Sequence, residues 1–266
     1  MLNRKALIAA LEDGRVNVAI HPRAELRTGR PTGYEAAFQW EAGHEVLRPV
    51  LLTVADSARL TPRLFALALE EISNGRNKAG AGLVATELPE SLFLNNDWFE
   101  GCLPEVSKAA SAGSLEVMLH ACFMARVSPK NFRARMDRLR DSGAGLCLVM
   151  DATLANPEKF ASAFANLPVQ ALLLSGNLLR QASASARNAS LIDSLVMTAK
   201  ARGMRVIAGG VDTERDAAIA ILAGCDQGQG IHISKGGSAK APNTSFFGDL
   251  GLASPSHAGI PWELPA

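Results

Sequence analysis

The sequence lacks an excess of charge of either sign. Lys plus Arg total 27 and Asp plus Glu total 26 over 266 residues, so no net field draws in nucleic acid or an anionic membrane surface. Long hydrophobic runs are missing too. No window approaches the roughly 18 apolar residues of a membrane helix, and Met1 to Leu11 contains no apolar stretch of signal-peptide type. These absences exclude nucleic acid and membrane as partners of this segment and predict a soluble, cytoplasmic chain. Cysteine is sparse: Cys102, Cys122, Cys147 and Cys225 stand far apart without metal-ligand spacing. Three of them fall in apolar runs and read as buried thiols of a reduced compartment. There is no Walker loop, dinucleotide fingerprint, nucleophile elbow or zinc spacing. His21, His44, His120, His232 and His257 are isolated from one another and read as structural. Arg133, Arg135, Arg138 and Arg140 form a charge run that reads as a solvated helix face. No aromatic residues interleave with it to make a stacking platform for single strands.

What the chain does have is a rhythm. Short apolar runs over Val16–Leu26, Gly33–Trp40, Gly82–Leu88, Leu115–His120, Gly145–Met150, Ala171–Ser175, Arg205–Gly210 and Gln229–Ser234 predict strands. Amphipathic segments between them, such as Arg63–Gly75, Ser128–Leu139 and Ile192–Arg202, predict helices. Apolar strands separated by helices argue for a parallel sheet covered on both faces, and about eight such units favour a closed α/β barrel over an open sheet. The expectation is one TIM-like (β/α)8 barrel over 1–250 and a coil or tail over 251–266, where Pro255, Pro261 and Pro265 cluster. Gln181–Asn188 and Lys235–Thr244 read as loops. Hydrophobic residues at 48% of the chain supply the core.

Four stretches carry more information. Tyr34-Glu35-Ala36-Ala37-Phe38-Gln39-Trp40 resembles a "YEALLRW" motif, and Ile20-His21-Pro22-Arg23-Ala24-Glu25-Leu26 resembles the "YQPIVDL" that precedes it. Val206-Ile207-Ala208-Gly209-Gly210-Val211-Asp212-Thr213-Glu214 is similar to "VVAEGVET", and Gly224-Cys225-Asp226-Gln227-Gly228-Gln229-Gly230 to "GCD.GQG". Order and spacing agree from about His21 to Ser234. On these residues the chain resembles the bacterial EAL domain, the cyclic di-GMP phosphodiesterase module. The resemblance implies a barrel of the EAL type in which an early strand runs antiparallel. It also implies a site at the C-terminal mouth, where active members bind cyclic di-GMP and hydrolyse one phosphodiester with two metal ions. Such ions need several oxygen ligands, mostly carboxylates.

Mapped onto this sequence, that ligand set is depleted. The name-motif glutamate is Glu35 and the last-strand glutamine is Gln229. The other metal positions fall on Thr86, Met118, Val149, Met150, Leu173 and Gly209, with Asp151 one residue out of register. The phosphate-contacting arginine falls on Gln39 and the "YQP" glutamine on His21. Glu35, Gln39, His21 and Gln229 are therefore the remnant ligand-binding candidates. No catalytic residue, metal or cofactor is expected. Arg23 and Arg48 lie close in sequence, but nothing places them at the mouth. A plainer reading of Glu35 is a strand-end polar group satisfied by Thr86 or Gln229, and of Gly209, Gly210, Gly228 and Gly230 a packing role. The preferred expectation is a non-catalytic regulatory module that binds a protein partner. A cyclic di-GMP receptor without hydrolysis and a residual or altered enzyme stay open. The apolar replacements predict a mouth filled by packing, which sends a partner to the rim loops.

Overall fold

The computed structural model describes residues 3–41, 45–46, 48–74, 82–151, 164–182 and 185–236. Strands β1 (Val16–Glu25) and β2 (Pro31–Glu41) pair antiparallel over almost their full length. From β2 the sheet continues in parallel through β4 (Val84–Glu87), β5 (Leu115–His120), β6 (Gly145–Met150), β7 (Ala171–Leu174), β8 (Arg205–Ala208) and β9 (Gln227–Gln229). β9 then pairs antiparallel with β1, which closes the barrel. A two-residue strand, β3 (Glu45–Val46), extends the free end of β2. The early antiparallel strand is thus β1. Helices α3 (Thr61–Ser73), the short α4 (Glu90–Leu94), α5 (Asn96–Ala112), α6 (Pro129–Asp141), α8 (Ala186–Ala201) and α9 (Glu214–Leu222) cover the outside of the barrel, with their apolar residues on the sheet.

Strand parity sorts the side chains. Ala36, Val84, Val117, Leu146, Leu148, Leu172 and Val206 face the helices in the main core. Ala85, Met118, Cys147, Val149, Ala171, Leu173 and Ile207 form a separate cluster inside the barrel. A third cluster lies beyond the rim. β2 outruns the shorter barrel strands, and Phe38 and Trp40 on its extension pack with Leu7 of α1 (Arg4–Glu12), Leu51 and Ala55 of α2 (Arg48–Ala58), and Leu64 of α3. This platform holds the first residue of α2 at the barrel mouth.

Three expectations need correction. The run expected as a strand over Gln229–Ser234 is a strand only to Gln229. Gly230 has φ 148°, and its amide geometry turns the chain out of the ladder into a single helical turn, α10 (Ile231–Ser234). The alternation of Ile231 and Ile233 imitates a strand because one faces solvent and the other packs inward. The loop expected over Gln181–Asn188 is mostly helix: α7 (Gly176–Ala182) runs into it and α8 starts at Ala186. Ser185 is the N-cap, its Oγ accepting from the Asn188 amide at 3.3 Å. Serine at a cap and alanine in a helix interior explain the local chemistry. Arg135 also departs from the solvated face. It lies 5.4 and 5.0 Å from the ring centroids of Phe93 and Phe99 and donates to the Phe93 carbonyl. Residues 237–266, including most of the Lys235–Thr244 segment and the proline tail, lie outside the described residues.

A Cβ at position 230 would stand 2.5 Å from the Val211 backbone, and its φ is one that L-residues rarely adopt. Gly230→Ala is expected to cost at least about 2 kcal/mol in urea denaturation. Gly101, inside α5 with open space around it, is the counter-case: Gly101→Ala is expected to stabilise by about 0.5–1 kcal/mol.

Candidate functional site

Around the inside of the barrel, residues in register point the same way. One rung runs Glu87, Met118, Cys147, Ala171 and Arg205. The next runs His120, Val149, Leu173, Ile207 and Gln227. The middle of both rungs is apolar and closely packed: Met118, Val149, Leu173 and Ile207 are all buried. Gly209 continues this plug, since a Cβ there would meet Leu173 Cδ2 at 3.0 Å. On the β1–β2–β9 side the interior is ionic.

That ionic side is one continuous chain of polar contacts. Glu116 has no solvent exposure. Its Oε1 accepts from Arg23 Nη1 at 2.8 Å and its Oε2 from Arg205 Nη2. Arg23, also fully buried, donates through Nε to Gln229 Oε1 at 3.1 Å, and its Nη2 touches Met118 Sδ at 3.7 Å. The Gln229 amide is thereby oriented, and its Nε2 donates to Glu35 Oε2 at 2.5 Å. Glu35 Oε1 accepts from Arg48 Nη2 at 2.8 Å. Arg48 Nη1 binds Glu87 Oε2, and Glu87 Oε1 meets His120 Nε2 at 3.1 Å. Cations and carboxylates alternate from Arg205 to His120, interrupted only by the neutral Gln229.

The neighbours shift the ionisations at the mouth end of this chain. Burial pushes the Glu87 carboxyl up, but the His120 hydrogen bond and the Arg48 charge outweigh it and hold the group below the usual value. For His120, burial pushes the imidazole down, while the Glu87 hydrogen bond and the charges of Glu87 and Asp151 prevail and raise it. Arg48 is likewise held more firmly charged, the Glu87 and Glu35 charges overcoming its desolvation. The cysteines take no part. All four are free, and burial raises the thiols of Cys102 and Cys225 to about 12, which leaves them unreactive.

Of the remnant candidates, the structure brings His21, Glu35 and Gln229 together. They line a cleft of about 510 Å³ beside the plug, with Arg48, Asp212 and Lys235. Gln39 stands apart, farther along β2 opposite Asn17 of β1. Of the positions at which the family resemblance places metal ligands, Met118, Val149, Leu173 and Gly209 face the barrel interior. Two do not. Thr86 pairs laterally with Ala36 and Val117 on the helix-facing side, its Oγ1 donating to the Ala36 carbonyl at 3.2 Å, and Met150 packs in the outer core. Side chains one position apart on a strand face opposite ways, so the inward group at the end of β4 is Glu87, not Thr86. Arg48, Glu87, His120, Arg23, Glu116 and Arg205 were not among the candidates. The readable signal was a polar residue closing an apolar strand run, which both Glu87 and His120 are.

The fold and this site define a TIM-type α/β barrel with one reversed strand and a polar cleft at its C-terminal mouth. A family model described as "EAL domain" matches residues 4–236; the chain belongs to the EAL domain family. No curated protein matches the sequence. Among solved structures it is similar to the PaMucR phosphodiesterase in complex with c-di-GMP, with a TM-score of 0.72 and 18% identity, covering 86% of this chain and 94% of that one. The FimX EAL domain from Pseudomonas aeruginosa bound to c-di-GMP gives 0.66 and 17%, over 86% and 94%. Vibrio cholerae LapD, an S helix-GGDEF-EAL structure bound to c-di-GMP, gives 0.71 and 13%, over 85% of this chain but 55% of that one. At these identities the likeness shows the shared fold. No helix among the described residues is long and apolar enough to cross a membrane.

The residues present do not fit the two-metal centre of the family's phosphodiesterases. Two hard cations need several oxygen donors facing one point. Here Glu35 and Glu87 both accept from the Arg48 guanidinium, and the facing rungs offer thioether and alkyl groups. Among the described residues no cluster of three His, Cys, Asp or Glu side chains is arranged to hold a metal ion.

The Glu87–His120 pair makes stability pH-dependent. A raised histidine pKa contributes stability that is complete below the unfolded value near 6.5 and is lost as pH rises through the higher folded value. NMR titration is expected to place the His120 pKa above 6.5, and Glu87→Gln to lower it and abolish that part of the pH dependence. A wild-type His120 pKa at or below 6.5 would contradict the arrangement.

Proposed function

We propose that this chain is a non-catalytic EAL domain in cyclic di-GMP signalling, acting as a cytoplasmic regulatory module through a protein partner. The observation that carries the reading is the interior of the mouth. Met118, Val149 and Leu173 stand in the inward-facing positions to which the family resemblance assigns metal ligands. The retained carboxylate, Glu35, is saturated by Arg48 and Gln229. A hydroxide nucleophile made by a metal needs ligands to lower the pKa of its water, and a carboxylate neutralised by a guanidinium does not supply one. The apolar plug also rules against a charged intermediate, since an unsolvated anion among alkyl groups costs several kcal/mol. Protein binding then falls to the rim, where Ile231 is 56% exposed beside the cleft.

A second reading, a cyclic di-GMP receptor without hydrolysis, is favoured by one specific feature. The cleft beside the plug is open and carries Arg48, His21 and Lys235, cations suited to a phosphodiester. The FimX and LapD structures, both bound to c-di-GMP, make this ligand the one to try. Against it stands the engagement of Arg48 with two carboxylates, which leaves its charge compensated before any ligand arrives.

One experiment separates the readings. Titrate the domain with cyclic di-GMP in a calorimeter, with and without magnesium or manganese, and assay the mixture for the linear dinucleotide. The expected result is neither binding heat at about 100 µM ligand, a free energy weaker than about −5.5 kcal/mol, nor enzyme-dependent product. Binding without product moves the assignment to the receptor. Linear dinucleotide above the buffer rate refutes the non-catalytic reading.

A further inference from the structure

α3 and α5 lie side by side on the outside of the barrel, but they do not close fully against each other. A groove of about 190 Å³ remains between them, with Phe65 and Leu69 of α3 and Trp98 and Cys102 of α5 among its walls. Phe65 and Leu69 are buried, whereas Trp98 is only half-buried. Gly101 keeps the groove open. It stands in the interior of α5 and lines the groove, and a Cβ there would meet nothing within 4 Å. Glycine in a helix interior costs up to about 1 kcal/mol against alanine, and nothing packed on this position asks for it. A long side chain here would narrow the groove's opening. The rim of α5 is charged with one sign. Asp97, Gly101 and Glu105 follow at i, i+4 and i+8, so they form one stripe along the groove. At the helical rise the two carboxylates stand about 12 Å apart. Among the described residues neither has an ion-pair partner. Asp97 falls in the first turn of α5, where an acid also complements the helix dipole. Glu105, in mid-helix, has no such role.

We infer that this groove docks a basic amphipathic helix of a partner protein, an aliphatic side chain seated against Phe65 and Trp98 and two basic residues answering Asp97 and Glu105. A helix lying in a groove is held by apolar anchors at i, i+3 and i+4 spacing. Two cations at i and i+7 of such a helix lie about 10–11 Å apart, close to the separation of the two acids. Other occupants fail on charge. A second copy meeting this face about a two-fold axis would set the acids against the same acids. Residues 237–266 hold Lys240 as their one lysine or arginine, beside Asp249 and Glu263, so that segment cannot answer both carboxylates. Nucleic acid and anionic membrane are repelled. The groove shares no residue with the cleft at the barrel mouth, so it is a contact face additional to the rim.

The test uses the full chain and two synthetic amidated helices of alanine and glutamine. Both carry leucine at i+3 and i+4; one has lysine at i and i+7, the other glutamate. Neither nucleotide nor metal is present, so a failure here is distinct from a failure of the reading of the mouth. Calorimetry is expected to show saturable binding of the lysine peptide, weakening as salt is raised to about 1 M, and none of the glutamate peptide. Gly101→Leu should weaken the lysine peptide at least about tenfold. It should melt no lower than the wild type, because leucine is the better helix former. Asp97→Lys combined with Glu105→Lys should reverse the preference, taking the glutamate peptide and refusing the lysine one; both positions are exposed, so the fold is kept. No saturation of the lysine peptide by about 1 mM, equal binding of the two peptides, or undiminished binding in Gly101→Leu overturns the proposal. So does a dimer of the wild type that Gly101→Leu dissociates, which would give the groove to a second copy.

Discussion

A carboxylate with no access to water, Glu116, fixes the inside of this barrel. Taking an ion out of water costs several kcal/mol even after relaxation, and the cost is recovered only with close partners on all sides. Arg23 and Arg205 provide them from opposite directions, one from the reversed strand β1 and the other from β8. Neither guanidinium can move without stranding the carboxylate. The second face of Arg23 then fixes the Gln229 side-chain amide, and the amide fixes Glu35. The orientation of the carboxylate at the mouth is thus set from the floor of the barrel, through four side chains on four different strands.

The reversed strand makes this arrangement possible. If β1 ran parallel to its neighbours, the register that sets Arg23 beside Gln229 and His21 beside Glu35 would be lost. Running backwards, β1 brings residues from the start of the chain to the level of the last strand, and the ionic half of the interior is built where the two ends of the barrel meet. The other half, from β5 to β8, has ordinary alkyl packing at the mouth. The cleft lies along the boundary between the halves, open on the ionic side because charged side chains holding one another at fixed distances cannot collapse as alkyl groups do.

Much of the fold was legible in the sequence. β5 and β6 occupy the residues that their apolar runs mark, because a buried parallel strand is uniformly apolar and ends where polarity returns. The failures have local causes. A single glycine with positive φ turns Ile231–Ser234 into a helix, and alanine-rich sequence with a serine cap reads as loop when it is helix. The site was legible in part. Glu35 and Gln229 stand out within their motifs, and both line the cleft. Thr86 was chosen over Glu87 because aligning a motif says nothing about which face of a strand a residue takes; a shift of one reverses it. Arg48 had no signal at all. Its role depends on a platform built by α1, α2 and the extension of β2, whose contacts are far apart in the chain.

The same contrast bears on how such a domain can change its chemistry without losing its fold. Loss of a metal from a site of converging carboxylates leaves like charges facing one another, which destabilises the barrel at its mouth. Met118, Val149 and Leu173 at inward positions bring no charge to repel and add packing. Where carboxylates remain, as at Glu35 and Glu87, a counter-charge is still required. An arginine meets this better than a lysine, because its planar fork spans two acceptors at once and stays ionised under burial. It can also be supplied from outside the barrel strands, here from the first residue of α2, so it asks no change of register in the eight strands. A mouth whose carboxylates are answered by the chain's own guanidinium keeps its shape through those contacts.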